Sequence, residues 1–250
     1  MAKRTQVIDI SRALQPGLPE SSALPRFALW WHSRQAWGDR TNFQAMLLAE
    51  HTGTNVDAPR HVVPRGATLD ELGPAAFIGP ALVLDLSHLK PLAPITPDEL
   101  QAAEARAALR LRRGDIAVLM TRHDERCMRR KRGAADCLKK RPALTGAAAK
   151  FLAARRVKAV GMDTVSPDPS GAVLDVHRYL LERRILIIEG LSRLEAIGPG
   201  RFLFIALPLK IKGGTGSPVR AIAVTGDPAG LLGQFSARAG SATRRKGRKK

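Results

Sequence analysis

The chain has 250 residues, with 44% apolar and 25% charged side chains, the proportions of a soluble globular protein large enough to bury a core. Its two cysteines, Cys127 and Cys137, make neither a disulfide framework nor a CxxC zinc pair, and no apolar run approaches the roughly 20 residues needed to cross a bilayer. Lys and Arg number 41 against 22 Asp and Glu, a net charge of +19 that raises nucleic acid as a partner.

The opening MAKRTQVIDISRAL lacks the roughly 7–15-residue apolar stretch of a signal peptide, so a cytoplasmic protein is expected. Val7–Ile10 reads as the first strand. Aromatic residues are scarce, 11 in all, yet Phe27, Trp30, Trp31, Trp37 and Phe43 crowd into one stretch. They form either an anchoring patch for an N-terminal arm or an apolar wall over a substrate ring. The next segment, HTGTNVDAPRH (51–61), is the densest cluster of metal-type side chains. Thr, Gly, Val and Pro disfavour a helix there. In an extended chain His51, Asn55 and Asp57 share a face, since side chains alternate with period two. Pro59 breaks the strand and turns His61 back toward them. Imidazole nitrogen with carboxylate oxygen suits Zn, Mn or Fe.

Ala81–Leu86 and Ile116–Met120 are continuous apolar runs of the kind covered on both faces. Between them Thr96-Pro97-Asp98-Glu99 reads as a capping box opening an Ala-rich helix to Leu109. Residues 121–141 carry nine Lys/Arg and three Asp/Glu. This basic run is a solvated face or a pocket rim that attracts an anionic substrate. A helix is expected over Thr145–Arg156, a strand over Val157–Met162, and a turn ordered by Asp163, Ser166 and Asp168. Gly171–Arg184 carries a helical stripe of Val173, Leu174, Val176, Leu180 and Leu181 around His177. On spacing alone that histidine is either a satisfied core residue or a ligand. Glu189 follows the buried-type run Ile185–Ile188, where a carboxylate is costly unless paired or metal-bound. Strands at Phe202–Leu207 and Val219–Val224 complete the body. The tail, 236–250, has seven Lys/Arg and no acid, and is expected to be disordered. Strands interleaved with helices argue for an α/β fold, with one domain over residues 1–235.

HTGTNVDAPRH resembles the HxGTHxDxPxH signature of the cyclase-like metal hydrolases, the family of bacterial kynurenine formamidase and isatin hydrolase. VGMDTVSPD (160–168), His177, IEGL (188–191) and GGTGSPVR (213–220) resemble later segments of the same family. The resemblance implies a compact α/β domain with a central mixed sheet flanked by helices. It implies metal ligands at His51, Asp57, His177 and Glu189, with Asp57 able to bridge two ions and His61 as general acid/base. Asn55 stands where the family has His; an amide oxygen in that place removes an ion, weakens binding, or moves the preference from zinc toward manganese. One or two Zn or Mn ions are therefore expected as cofactor.

A divalent ion lowers the pKa of water from about 15.7 to roughly 7 and polarises a carbonyl. The implied reaction is hydrolysis of an amide-type C–N bond in a formamide, cyclic amide or lactam, with His61, of ordinary pKa about 6.5, moving the proton. A homodimer or homotetramer is implied as well, because the early segment of relatives reaches a neighbouring subunit's site. Two other readings stay open. Asn55 allows a catalytically impaired member of the family. The charge allows a nucleic-acid-binding protein acting through the basic tail, although no finger, RRM or helix-turn-helix pattern is present.

Overall fold

In the computed structural model, residues 5–18, 24–129, 134–171 and 173–227 are described. The chain opens with β1 (Gln6–Asp9), the hairpin β2 (Ala28–Ser33) and β3 (Phe43–Leu47), then β4 (Asn55–Asp57) and β5 (Ile78–Asp85). It continues through β6 (Pro94–Ile95), α1 (Pro97–Arg106), β7 (Ile116–Met120), α2 (His123–Met128) and α3 (Ala134–Lys139). Next come β8 (Ala143–Leu144), α4 (Gly146–Ala154), β9 (Ala159–Met162), α5 (Asp175–Glu182) and β10 (Leu186–Glu189). Strands β11 (Arg201–Ile205), β12 (Gly216–Pro218) and β13 (Ile222–Thr225) end the described part.

Nine strands form one mixed sheet in the order β1-β13-β11-β5-β7-β9-β10-β4-β12. Its centre, β5-β7-β9-β10, is parallel, and the strands to either side run antiparallel. The helices lie in the crossovers between the parallel strands, as connections of that kind require. This is the expected α/β fold.

Strand β7 shows why its sequence is unbroken in hydrophobicity. Ile116, Val118 and Met120 enter one core cluster, while Ala117 and Leu119 enter the other. The second cluster holds Leu100 of α1, Leu152 of α4 and Leu180 of α5, all fully buried. Each such side chain contributes about 1.5–3 kcal/mol by leaving water. The first cluster joins strands from both ends of the sheet, Ile8 and Phe204 with Val56 and Ile188, so the sheet curls around it. Backbone bonds seal the seam: Ser192 N donates to Ile10 O at 2.9 Å, and Arg12 N donates to Thr54 Oγ1 at 2.8 Å.

Several expectations shift. The strand expected from His51 starts only at Asn55, because residues 51–54 form bends and turns. The helix around His177 begins at Asp175, and Val173 and Leu174 are exposed rather than part of its buried stripe. Thr96 caps α1 by accepting from Glu99 N, but the Glu99 side chain leaves the expected box and binds His88 Nε2 at 2.9 Å. Of the early aromatics only Phe27 is buried; Trp30, Trp31, Trp37 and Phe43 stand exposed on the hairpin, so they do not anchor it to this chain's own body. The basic run contains two short helices, with Glu125 between Arg122 and Arg129. Cys127 is disulfide-bonded rather than a free thiol. The tail, 236–250, lies outside the described residues. Among the described residues no helix is long and apolar enough to cross a membrane.

Leu152→Ala removes a buried side chain where α4 faces the sheet. It is expected to destabilise the protein by about 2–5 kcal/mol, read from a urea unfolding midpoint; a loss below 1 kcal/mol would show that this layer repacks freely.

Candidate active site

The site lies at the carboxyl ends of β9 and β10, the position where open parallel sheets bind ligands. Register delivers its first members. In the antiparallel pair β10–β4, Glu189 stands opposite Asn55 and Ile187 opposite Asp57. Val56 and Ile188 point into the inner core, so Asn55, Asp57 and Glu189 project to the other face, toward α5. All three are buried. Gly190 then turns the chain with φ of 64°, and a Cβ there would stand 2.4 Å from Gly53 O. Glycine is therefore what lets β10 end against the 51–54 turn.

His177 arrives from the buried side of α5. Its Nε2 lies 3.3 Å from Asp57 Oδ2 and 3.2 Å from Glu189 Oε1. His51 arrives from the turn, with Nδ1 2.7 Å from Asp57 Oδ1. A Cβ on Gly216 would stand 2.4 Å from the His51 ring, so β12 accepts the imidazole only because that position is glycine. His61 follows on the 3-10 turn Pro59–His61, its ring centroid 4.0 Å from that of His51 and 5.8 Å from that of His177. Two triads with ligand atoms within 4.8 Å result, His51–Asp57–His61 and Asp57–His177–Glu189, and they share Asp57. His51, Asp57, His61, His177 and Glu189 thus meet in these two triads, and Asn55 stands beside them on β4, opposite Glu189.

The sequence placed Asp168 in a turn, and that is half of its role. Arg141 holds the turn by donating to Asp168 O at 2.7 Å. The Asp168 carboxylate accepts from the backbone N–H of Val176 and His177 at the start of α5, and its Oδ2 lies 2.5 Å from His177 Nδ1. It fixes the ring and leaves Nε2 facing Asp57 and Glu189. The legible signal was an acid placed just ahead of a helix that carries an inward histidine. Thr54 Oγ1 donates to the backbone carbonyl of Gly190 at 2.6 Å, whereas Thr52 Oγ1 has no hydrogen-bond partner among the described residues.

The electrostatics call for positive charge. Burial opposes a charged His177, yet the carboxylates of Asp168, Asp57 and Glu189 outweigh it and push its pKa up to about 12. Burial and the adjacent Asp57 push Glu189 up to about 7. Burial also works against the Asp57 anion, but His177 and His51 hold it well below the usual carboxylate range. Burial lowers His61 below an ordinary imidazole. Even so, Asn55 Oδ1, Asp57 Oδ2 and Glu189 Oε1 have no hydrogen-bond partner among the described residues. Orphaned buried oxygens of this kind are rare and costly. Oxygen and imidazole donors converging on one space fit a divalent cation.

Fold and site together define a hydrolase that works with a metal ion. The chain belongs to the cyclase family: the family described as putative cyclase matches residues 8–169. A kynurenine formamidase from Salinibacter ruber (strain DSM 13855 / M31) is 32% identical over 227 residues, covering 86% of this chain and 96% of that one. A kynurenine formamidase from Sphingopyxis alaskensis (strain DSM 13593 / LMG 18877 / RB2256) is 32% identical over 222 residues, covering 87% and 97%. Among solved structures, isatin hydrolase A from Labrenzia aggregata, bound to benzyl benzoate, superimposes with a TM-score of 0.78 at 26% identity, covering 89% of this chain and 94% of that one.

Asp168→Ala leaves the His177 ring and two helix N–H groups without their acceptor. The expected cost is about 3–5 kcal/mol of unfolding free energy, read by chemical denaturation; a loss under 1 kcal/mol would mean the ring is held by other contacts.

Proposed function

We propose that this protein hydrolyses the C–N bond of a small formamide, cyclic amide or lactam, with a divalent cation held by His51, Asn55, Asp57, His177 and Glu189 and with His61 as the catalytic acid/base. The reading is carried by one observation, the buried Asp57 Oδ2 and Glu189 Oε1 converging on His177 Nε2 while, with Asn55 Oδ1, they have no hydrogen bond among the described residues. The 32% identity to kynurenine formamidases and the likeness to isatin hydrolase support the substrate class. The Asp57 carboxylate, common to both triads, is placed to serve either one zinc or manganese ion or a pair.

When bound, such an ion polarises the carbonyl and acidifies water. The chain's own residues do the rest. Asp168 orients His177, and Asp57 gathers His51 and His177 on its two oxygens. Among the described residues the His61 ring donates no hydrogen bond to the cluster's carboxylates, and it stands over His51, placed to take a proton from water and return it to the leaving nitrogen. Burial favours its neutral form, the form that accepts a proton. The hydrolase occupies residues 1–235 in the cytoplasm, with the tail 236–250 outside it. The exposed Trp30, Trp37 and Phe43 of the hairpin favour a homodimer or homotetramer.

The test is elemental analysis of the purified protein, followed by turnover of an aryl formamide and of isatin before and after chelation. Chelation is expected to abolish turnover, and Zn²⁺ or Mn²⁺ to restore it. His61→Ala should keep the metal and lose about 10²–10⁴ in rate, whereas Asp57→Ala should lose both. Full activity in chelator, or full activity of the His61 variant, contradicts these roles.

A further inference from the structure

His51 is gripped at both ring nitrogens. Nδ1 faces Asp57 inside the cluster. Nε2 faces away and lies 3.3 Å from Thr215 Oγ1, which enters just before β12. The Thr215 hydroxyl donates to Glu50 Oε2 at 2.5 Å, and the Thr215 backbone N–H donates to the same oxygen at 3.2 Å. A hydroxyl carries one proton. With that proton committed to Glu50, the oxygen offers the ring only lone pairs. The hydrogen of the His51–Thr215 contact therefore sits on Nε2. Nδ1, 2.7 Å from the Asp57 carboxylate, carries a proton toward Asp57 while no cation is present; a cation taking that place displaces the Nδ1 proton, and the proton held by Thr215 stays on Nε2.

The loop is fixed so that Thr215 cannot drift. Its carbonyl accepts from Ala58 N at 2.9 Å, and the preceding Gly214 O accepts from Leu69 N at 3.0 Å. Gly216 follows, pressed against the ring it faces.

We propose that Glu50 and Thr215 form a positioning relay that sets the Nε2–H tautomer of His51 and presents Nδ1 as its metal-ligating atom. This rests on the metal-binding reading above. It also makes the two imidazoles complementary. His177 is held at Nδ1 by Asp168 directly and offers Nε2; His51 is held at Nε2 by Glu50 through a hydroxyl and offers Nδ1. A merely structural role for the same bonds, closing the loop before β12, changes stability but not ring tautomer or metal affinity.

The experiment uses the full chain stripped of metal. The Zn²⁺ dissociation constant is measured by competition with a chromogenic chelator for the parent, Thr215→Val, Thr215→Ser and Glu50→Gln, with thermal melts alongside. The His51 tautomer is read from ¹⁵N NMR of histidine-labelled protein before and after Zn²⁺ loading, assigned by its loss in His51→Gln. Thr215→Val and Glu50→Gln are expected to weaken Zn²⁺ binding about 10–100-fold. Thr215→Ser restores the hydroxyl and the parent affinity, and the ring of the Zn²⁺-loaded parent is expected as Nε2–H. If Thr215→Val fails to fold, Glu50→Gln, at a half-buried position, carries the affinity test. An Nδ1–H ring in the Zn²⁺-loaded parent, or both deletions binding Zn²⁺ as tightly as the parent, overturns the relay. A parent that binds no Zn²⁺ at all overturns the metal-binding reading instead, and the relay is then read from the Nε2 proton of the metal-free ring: an Nε2 resonance that is the same in Thr215→Val and the parent overturns it.

Discussion

Asp57 is the constraint on which the site depends. It is a buried carboxylate with one oxygen on His51 and the other facing His177, and a second carboxylate, Glu189, stands on the neighbouring strand. Two anions withdrawn from water at this separation are tolerated only beside positive charge. Without a cation, protons shared among His177, His51 and Glu189 must serve, and among the described residues they leave oxygens of Asn55, Asp57 and Glu189 without a hydrogen bond. The surrounding fold can be read as what holds this arrangement despite its cost. Functional sites that work against local stability are expected to be held in this way.

The support is layered by chain distance. Register between β4 and β10 sets Asn55, Asp57 and Glu189 to one face, with Val56 and Ile188 buried behind them. A one-residue slip would send the carboxylates into the apolar cluster and Val56 and Ile188 into the site, so core packing and site assembly enforce the same register. Gly190 and Gly216 remove side chains where backbone or ring must come close. The Asp168 turn, tethered by Arg141, then aims His177. Arg141 closes the basic run, so part of that positive charge is internal to the site's scaffold.

Much of this was legible in the sequence, for physical reasons that differ by element. Seven of the nine strands of the described sheet declare themselves as short apolar runs; where both faces are covered the run is unbroken, and Ile116–Met120 is recovered residue for residue. β4 and β12 do not. Asn-Val-Asp and Gly-Ser-Pro are short and polar because their outward residues belong to the site, so they lack the pattern that marks a strand. The ligand-type residues of 51–61 were legible from spacing and resemblance. The expected cause, an extended strand from His51, was wrong, since a turn rather than strand alternation carries that ring to Asp57. Glu50 and Thr215 left no signal, because residues so far apart in sequence meet only after β12 has paired with β4.

That last point bears on how the site comes into being. The contacts of Asp57 reach back to His51 and forward to His177, while its strand partners come from β10 and β12. No single crossover unit of the sheet contains the cluster. The parallel centre, β5-β7-β9-β10, has buried Ala117, Leu119 and Val160 among its core residues whether or not the site is formed. Non-local pairings must meet loop-closure entropy before they contribute anything. The polar strand β4 brings little apolar area of its own to offset that cost, only Val56 on its core face. The cation-binding face thus lies at the least self-sufficient part of the sheet. A ligand that engages only the assembled form draws the equilibrium toward it. In this architecture, occupancy of the site and closure of the sheet around β4 are linked.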